Sequence, residues 1–379
     1  MPTGARYTYT ETSTWERAVS DMIAMIDWEE APLLRLLGLS NQGKFKITGW
    51  PGTKVEWIED TLASKASALS AGVDNSTVTI PVTTGHGYKF RQGDIILIDS
   101  EKMLVTSVTT DSLTVATRPY GSTSAASHDS ADVVTIVGRA MPEGANATTG
   151  ASTDPTLPYN YAQIISQAVQ VSGTEEVIQR YGIDDPLTYQ MGKLFSNNGA
   201  AGELAQALAK TFYYGERVQR SASAYGSMGG FKTFVTTNVT ALSSAALQKS
   251  DIHTKIRAIR VAGGRCTHIV GGSWAIEKIT QMYEGNITRM EDATRGGSVI
   301  TKIITPHGQV EVIFDWMCPE GELYFFDKDK LGWVTLRPFT PKEIAPLGDY
   351  TMRDIVGEYS CVLQNQLSHG LITGFSTTA

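Results

Sequence analysis

The stretch 73–139 limits the possible folds most, because it contains short β-rich runs and no helical periodicity. Its five runs are STVTIPV, DIILID, MLVTSVTT, SLTVAT and DVVTIV, separated by Gly, Asp and Ser turns. That many strands in so short a segment are typical of a small β-barrel or sandwich that folds separately. Small polar residues flank the segment on both sides, as at the hinges of an inserted domain.

The chain on either side of this insert is extended. Residues 44–61 alternate apolar and polar side chains, with few apolar residues and with Gly49, Pro51 and Gly52 interrupting the middle. Such a pattern predicts an exposed ribbon rather than a core strand. We assign 44–72 to the outgoing half of the ribbon and 140–158 to the returning half.

Residues 1–43 combine a polar and aromatic arm with a helix. Ser13 and Glu16 form a capping box for this helix, Pro32 interrupts it, and Gly38 ends it. An arm with no apolar surface of its own to pack on is either disordered or held by a neighbouring subunit.

Helical signals return after 159. Ser172 begins a second capping box, and Asp185 caps a helix that starts at Pro186 and could continue to Tyr213. Four residues in the middle of that long helix predict a kink or a break: Asn197, Asn198, Gly199 and Gly202.

Helices and strands alternate from 245 onwards. ALQKSDIHTKIRAIRVAGG and SWAIEKITQMYEG are helical, THIVGG is a buried strand, and VITKII, VEVIFDW, LYFFD and WVTLRPF are strands. DKDK at 327–330 predicts a hairpin turn. The tail from Tyr350 to Phe375 alternates throughout, which predicts one long, half-buried antiparallel ribbon.

Composition excludes several classes of protein. The net charge is −7, so the chain is a poor candidate for wrapping nucleic acid through clustered Lys and Arg. It has neither an apolar run long enough for a membrane span nor a secretory signal. Charged residues make up only 19%, which suggests that part of the surface is covered by other protein.

Metal and cofactor signals are weak. The six His residues show no metal-ligand spacing, although Cys266 and His268 share a face of one strand. The three cysteines lie far apart, which predicts buried free thiols rather than disulfides. We predict no cofactor and no metal.

Two motifs suggest catalysis, and both are incomplete. Gly38-x-x-x-x-Gly43-Lys44 is one residue short of a P-loop, because Phe45 replaces the Mg²⁺-binding hydroxyl. The run 271–275 (GGSWA) approaches a nucleophile elbow around Ser273. Asp315 and His369 would complete a Ser–Asp–His order, but the upstream chain lacks the parallel strands of a hydrolase. We predict no catalytic residues and no enzyme, and keep a Ser273 hydrolase as a distant alternative.

Several of these elements project from the body and cannot bury their apolar faces within one subunit, which favours an obligate assembly. The order of elements resembles the major capsid proteins of tailed bacteriophages with the Hong Kong 97 fold. KVEWIEDTL is similar to that family's outgoing extended-loop (E-loop) strand, and NYAQIISQAVQVSGTEEVI to the segment before its spine helix. The closing stretch resembles the family's C-terminal region through Arg337, Gly348, Asp349, Glu358, Asn365 and His369.

The resemblance implies an α+β fold with discontinuous domains. The implied parts are an N-terminal arm and helix (1–43), an E-loop (44–72 and 140–158), an inserted small β-domain (73–139), a peripheral domain with a spine helix (159–240 and 322–379) and an axial domain (241–321).

The resemblance also implies hexamers and pentamers that form an icosahedral head around phage DNA. Implied partners are further copies of the chain, portal and scaffolding proteins, decoration or cement proteins, and packaged double-stranded DNA by non-specific contact, with no membrane. The expected location is the virion, assembled in the bacterial cytoplasm with a separate scaffold protein. A minor head or decoration protein is a second alternative. Expected inter-subunit contacts are Tyr7, Tyr9, Trp15, Lys54, Trp57, Glu59, Arg337 and Asp349.

Overall fold

The computed structural model describes residues 31–39, 52–60, 65–144, 154–179, 182–195, 201–283 and 302–378. The chain divides into two compact units. We call residues 1–57 with 158–379 the body, and residues 58–157 the β-unit. The predicted arm and the capping box at Ser13 lie outside the described residues. None of the helices in the described ranges is both long and apolar enough to cross a membrane.

Among the described residues, the first elements of the body are a short helix and one strand of the ribbon. Helix α1 spans Pro32–Leu37 and ends at Gly38, which has a positive φ of 71°, so the predicted helix end is confirmed. Strand β1 spans Lys54–Glu56 and pairs antiparallel with β8, Tyr159–Tyr161.

The β-unit contains one six-stranded antiparallel sheet in the order β2-β7-β4-β5-β6-β3. All five predicted runs contribute a strand, and a sixth, β2, was not predicted. The strands are β2 Ala66–Ala68, β3 Thr79–Pro81, β4 Asp94–Ile98, β5 Glu101–Thr109, β6 Ser112–Val115 and β7 Val133–Arg139. Alternation places one face of each strand in a common core that includes Ile80, Ile96, Ile98, Met103, Val105, Leu113 and Val134.

The body contains the remaining elements. They are β9 Gln163–Ser172, α2 Gly173–Val177, α3 Pro186–Leu194, α4 Glu203–Tyr214, α5 Phe231–Phe234, β10 Val239–Ala241, α6 Lys249–Val261, β11 His268–Gly271, α7 Ser273–Tyr283, β12 Lys302–Thr305, β13 Gly308–Phe314, β14 Glu322–Phe326, β15 Leu331–Ile344, β16 Tyr350–Leu363 and β17 Gly370–Thr373. The caps predicted at Ser172 and Asp185 are present, since each side chain accepts a hydrogen bond from the following helix.

Two larger sheets organise the body. A mixed sheet has the order β10-β17-β14-β11-β13-β12, and an antiparallel sheet has the order β15-β16-β9. Aromatic side chains fill the main core, where Phe212 of α4 contacts Tyr213, Phe231 and Trp333 with ring centroids 5.2, 5.7 and 6.1 Å away. These edge-on and tilted contacts fix α4 against β15.

The predicted interruption of the long helix is confirmed, since α3 ends at Leu194 and α4 begins at Glu203; Asn197, Asn198 and Gly199 lie outside the described residues. Gly202 precedes α4 with a φ of +101°, and a Cβ on it would lie 2.6 Å from the carbonyl oxygen of Leu194. Only glycine fits this conformation and this close approach.

Two predictions about β structure were wrong. DKDK is not a hairpin turn: it forms a 3-10 turn at Lys328–Lys330, and β14 and β15 belong to different sheets. The tail is not one ribbon, because it breaks at Asn365 (φ 56°) and enters the mixed sheet as β17. Side chains alternate between the two faces in β16 and in β17 alike, so the alternation in the sequence does not reveal that the chain passes from one sheet to the other.

Candidate assembly surfaces

The part of the ribbon that belongs to the body is the antiparallel pair β1 and β8. Val55 and Trp57 are buried, whereas the side chains between and beyond them, Lys54, Glu56 and Ile58, are exposed. This is the alternation expected of a strand with one covered face. In the β-unit, Glu59 and Thr156 exchange both backbone hydrogen bonds, at 2.9 and 2.7 Å.

Asn160 anchors the returning strand of the ribbon. Its amide nitrogen donates to the carbonyl oxygens of Gly229 (3.1 Å) and Cys361 (2.7 Å). Its side-chain oxygen accepts from the backbone N–H groups of Gly229 (2.8 Å) and Tyr161 (2.9 Å). A buried amide with all four bonds satisfied holds β8 in one position.

The predicted contact residues on the ribbon have different environments. Trp57 is only 5% exposed and packs on Phe234, with ring centroids 5.7 Å apart, so it belongs to the chain's own core. Lys54 is exposed, pairs with Glu56 and lies 4.3 Å from the ring centroid of Tyr159. Lys54 is therefore a surface residue whose charge is already paired within the ribbon.

Arg337 lies beside a buried carboxylate on the antiparallel sheet. Glu358 is 4% exposed and accepts hydrogen bonds from Arg337 (3.0 Å) and Arg220 (2.9 Å). Two partly exposed guanidinium groups thus neutralise one buried charge. Through Glu358, Arg337 links β15 to β16, and part of its positively charged guanidinium group is exposed to solvent.

Asp349 lies at the end of that sheet, which we call the sheet tip: the β15–β16 turn together with α2. Its carbonyl oxygen accepts from the N–H of Gly173 (3.2 Å), which joins the turn to α2. Leu347 in the turn is 95% exposed, and Val177 and Ile178 at the end of α2 are exposed too. The sheet tip therefore presents apolar side chains to solvent beside the carboxylates of Asp349, Glu175 and Glu176.

The structure thus places the predicted contacts in two regions of the described chain. Lys54, Trp57 and Glu59 lie on the ribbon, and Arg337 and Asp349 lie on the antiparallel sheet; Tyr7, Tyr9 and Trp15 are outside the described residues. The sequence-based prediction missed the exposed apolar residues Ile58, Leu157 and Leu347. The exposure of Ile58 could have been predicted from the alternation around Trp57. The two leucines lie beside prolines and belong to no periodic pattern, so their exposure could not.

Ser273, Asp315 and His369 do not form the catalytic triad that the hydrolase alternative requires. The hydroxyl of Ser273 donates to Glu320 (2.9 Å), the carboxylate of Asp315 accepts from Tyr213 (2.7 Å), and Nε2 of His369 contacts the carbonyl oxygen of Gln364 (3.1 Å). The three side chains are engaged separately, and burial lowers the pKa of His369 to about 4.

The three cysteines are buried and free, as predicted. Burial raises the pKa of each thiol, to about 12 for Cys266 and Cys361. A thiol in such surroundings is structural rather than nucleophilic.

Solved structures share this fold. The chain is similar to the structure titled Cyanophage A-1(L) capsid asymmetric unit, with a TM-score of 0.57 and 12% identity over 98% of this chain and 100% of that one. It is also similar to a structure from Mycobacterium phage Cain, with a TM-score of 0.52 and 11% identity over 99% and 100% of the two chains. These likenesses show that the chain has the α+β Hong Kong 97 fold.

The family follows from sequence. Residues 1–376 match the family model described as SU10 major capsid protein. The chain belongs to this family, and it is a structural protein of the icosahedral phage head that assembles with further copies of itself. None of the curated proteins compared with the chain matches it.

Proposed function

We propose that this major capsid protein forms hexamers and pentamers through its ribbon, and that the resulting head encloses phage DNA. The observation that carries the proposal is the pair of exposed apolar side chains on the ribbon, Ile58 (71%) and Leu157 (60%). Within the β-unit, Glu59 and Thr156 exchange two backbone hydrogen bonds directly beside them, so both side chains are held in place for a neighbour at little entropic cost.

The energetics favour many weak contacts. Covering one such side chain contributes roughly 1.5–3 kcal/mol. Repeated around a closed ring and then over a shell, contacts of this size give a stable particle although each is weak. The low share of charged residues supports extensive covered surface.

The domains proposed for these roles are those of the resemblance: arm 1–43, E-loop 44–72 with 140–158, insert 73–139, peripheral domain 159–240 with 322–379 and axial domain 241–321. In this proposal the arm, with Tyr7, Tyr9 and Trp15, contacts a neighbouring subunit. So do Lys54, Glu59, Arg337 and Asp349, which lie at or near the surface, whereas Trp57 supports the ribbon from inside.

Further partners belong to the same proposal. Portal, scaffolding and decoration proteins would contact the shell, and DNA would touch its wall without base-specific contacts. The net charge of −7 supports loose rather than tight contact with DNA. We place the protein in the virion, with assembly in the host cytoplasm, and propose that it catalyses no reaction.

The ribbon proposal is tested by charge substitution. We expect an Ile58→Glu, Leu157→Glu double variant to remain folded, because both side chains are exposed, and to stay as subunits or small oligomers instead of shells. Sedimentation velocity and negative-stain microscopy measure the particle size, and circular dichroism checks the fold.

Val133→Glu is the matched control, since Val133 on β7 is also exposed (59%) but lies outside the ribbon. We expect this variant to form shells as the unchanged chain does. Normal shells from the ribbon double variant would overturn the proposal.

A further inference from the structure

Three potential metal ligands converge in the β-unit from two separate segments. Asp99 occupies the turn between β4 and β5, and His128 and Asp132 lie in the segment before β7. One ligand atom of each lies within 4.8 Å of the others. Sequence spacing predicts no metal site here, because the group forms only when the two segments meet.

The ring of His128 is held from behind by a buried ion pair. Its Nε2 lies 3.1 Å from a carboxylate oxygen of Glu101. Arg118 donates two hydrogen bonds to the same carboxylate (2.9 and 2.7 Å), and the N–H of Ala126 donates a third (2.9 Å). Both side chains of the Arg118–Glu101 pair are almost completely buried, so they form a charged pair, and Glu101 is a carboxylate that accepts the Nε2 proton of His128.

That arrangement selects one tautomer of His128. With Nε2 as the donor, Nδ1 of the neutral ring carries a lone pair and is an acceptor. The atom it faces is a carboxylate oxygen of Asp99, 2.9 Å away. Two acceptors at this distance need a positive centre between or beside them, which either a proton or a cation supplies.

The geometry around Nδ1 suits a cation. Metal–nitrogen and metal–oxygen bonds of about 2.1 Å separate two ligand atoms by roughly 3 Å at right angles and by roughly 3.4 Å at the tetrahedral angle that Zn²⁺ prefers, so a small outward movement of the exposed Asp99 side chain would fit either geometry. His128 is almost completely buried, whereas the side chain of Asp99 is largely exposed. The group therefore has a fixed inner ligand and a side open to water, which can complete the coordination.

The backbone holds the second segment in place. His128 exchanges two backbone hydrogen bonds with Val73, at 2.9 and 3.0 Å. One carboxylate oxygen of Asp132 accepts from the N–H of Asp129 (2.7 Å), which orients the carboxylate and leaves its other oxygen for a ligand bond. Both ligands on this segment are thus oriented independently of any ion.

We propose that Asp99, His128 and Asp132 bind a divalent first-row transition-metal ion, with Zn²⁺ as the best match. One imidazole nitrogen and two carboxylate oxygens form a mixed donor set that suits such ions better than Mg²⁺ or Ca²⁺. Glu101 acts behind His128 as the hydrogen-bonded carboxylate that metal-ligating histidines commonly have. The ion joins the β4–β5 turn to the segment before β7 and so stabilises the β-unit.

Calorimetric titration of the full chain tests the site. After treatment with a chelator and dialysis, we expect ZnCl₂ to bind one ion per chain at neutral pH. We expect the Asp99→Asn, Asp132→Asn double variant to bind at least about tenfold more weakly. Asp129→Asn is the control, because it removes one carboxylate that lies one residue from His128 and three from Asp132, keeps the backbone N–H that orients Asp132, and should leave the affinity unchanged.

Co²⁺ provides an independent readout of the ligands. We expect visible absorption bands when Co²⁺ is added, their loss when Zn²⁺ displaces it, and no such bands with the double variant. Absence of saturable Zn²⁺ binding, or equal binding by the double variant and the unchanged chain, would overturn the proposal in favour of a protonated His128 bridging two carboxylates.

Discussion

Asp315 shows how a single buried carboxylate joins several elements of the body. Its two oxygens accept hydrogen bonds from the hydroxyl of Tyr213 on α4 (2.7 Å) and the N–H of Met317 (2.9 Å). Burial raises the pKa of Asp315, and the hydrogen bonds oppose that rise. The residue that could have been the acid of a triad is therefore a structural link.

We expect Tyr213→Phe to destabilise the folded subunit by about 1–3 kcal/mol, because it leaves a buried carboxylate short of one donor. Chemical denaturation at neutral pH, followed by circular dichroism, measures the loss. The matched control is Tyr214→Phe, since the neighbouring Tyr214 is largely exposed and its hydroxyl can bond to water. An equal loss in both variants would contradict the role given to Asp315.

The same variant has a definite pH dependence. Without the Tyr213 donor the folded-state pKa of Asp315 rises further above its ordinary value of 3.8. A raised pKa means that stability from the protonated form is complete below the unfolded-state pKa and is lost as pH rises through the folded-state pKa. The stability deficit of Tyr213→Phe should therefore grow from pH 4 towards neutrality.

At the scale of elements, the break between α3 and α4 depends on one glycine. Gly202 has a positive φ, and a Cβ there would meet the backbone at the end of α3. Gly192, in the middle of α3, has neither restriction, since nothing lies within 4 Å of its added Cβ. The two positions form a natural pair for substitution.

We expect Gly202→Ala to destabilise the chain by more than about 1 kcal/mol, because it adds strain and a clash. Gly192→Ala should instead stabilise it by up to about 1 kcal/mol through helix propensity. Thermal unfolding of both variants measures the difference in sign. A stabilising effect at both positions would show that the break does not require glycine.

Local signals allowed most individual elements to be predicted. Ser172, Asp185 and the residues near Gly202 act within a few positions of themselves, so their effects are visible in sequence. The change of sheet at Asn365 is non-local, because the partner strands β10 and β14 are distant in the chain. The candidate surfaces show the same difference between local and non-local features. Strand alternation in the sequence indicated the ribbon, whereas the exposure of Leu347 depends on packing elsewhere in the chain.

At the scale of the whole molecule, each unit closes its own core. The apolar cluster of the β-unit contains residues between Leu69 and Ile136. The three clusters of the body contain residues between Ala31 and Trp57 or between Ile165 and Phe375. A core made entirely from one unit's residues does not need the other unit to exclude water. The β-unit should therefore be removable.

The ribbon supplies a place to remove it. Glu59 and Thr156 exchange both backbone hydrogen bonds, as the residues flanking a two-residue hairpin turn do. Replacing 60–155 by Asn-Gly should therefore close the ribbon without changing its register. We expect the shortened chain to fold and still form shells, seen by microscopy and sedimentation, because Ile58, Leu157 and Asn160 remain although the insert is lost together with 60–72 and 140–155.

A variant joined one residue earlier, with Asn-Gly between Ile58 and Thr156, is the control for this excision. It pairs Ile58 with Thr156 and moves the ribbon out of register, so that the outward and inward faces of one strand conflict. We expect this variant to assemble poorly although its body core is the same. If both shortened chains stay folded but form no shells, the β-unit is itself part of the assembly contact and is not a dispensable insert. If both chains form shells, the register of the ribbon does not matter for assembly.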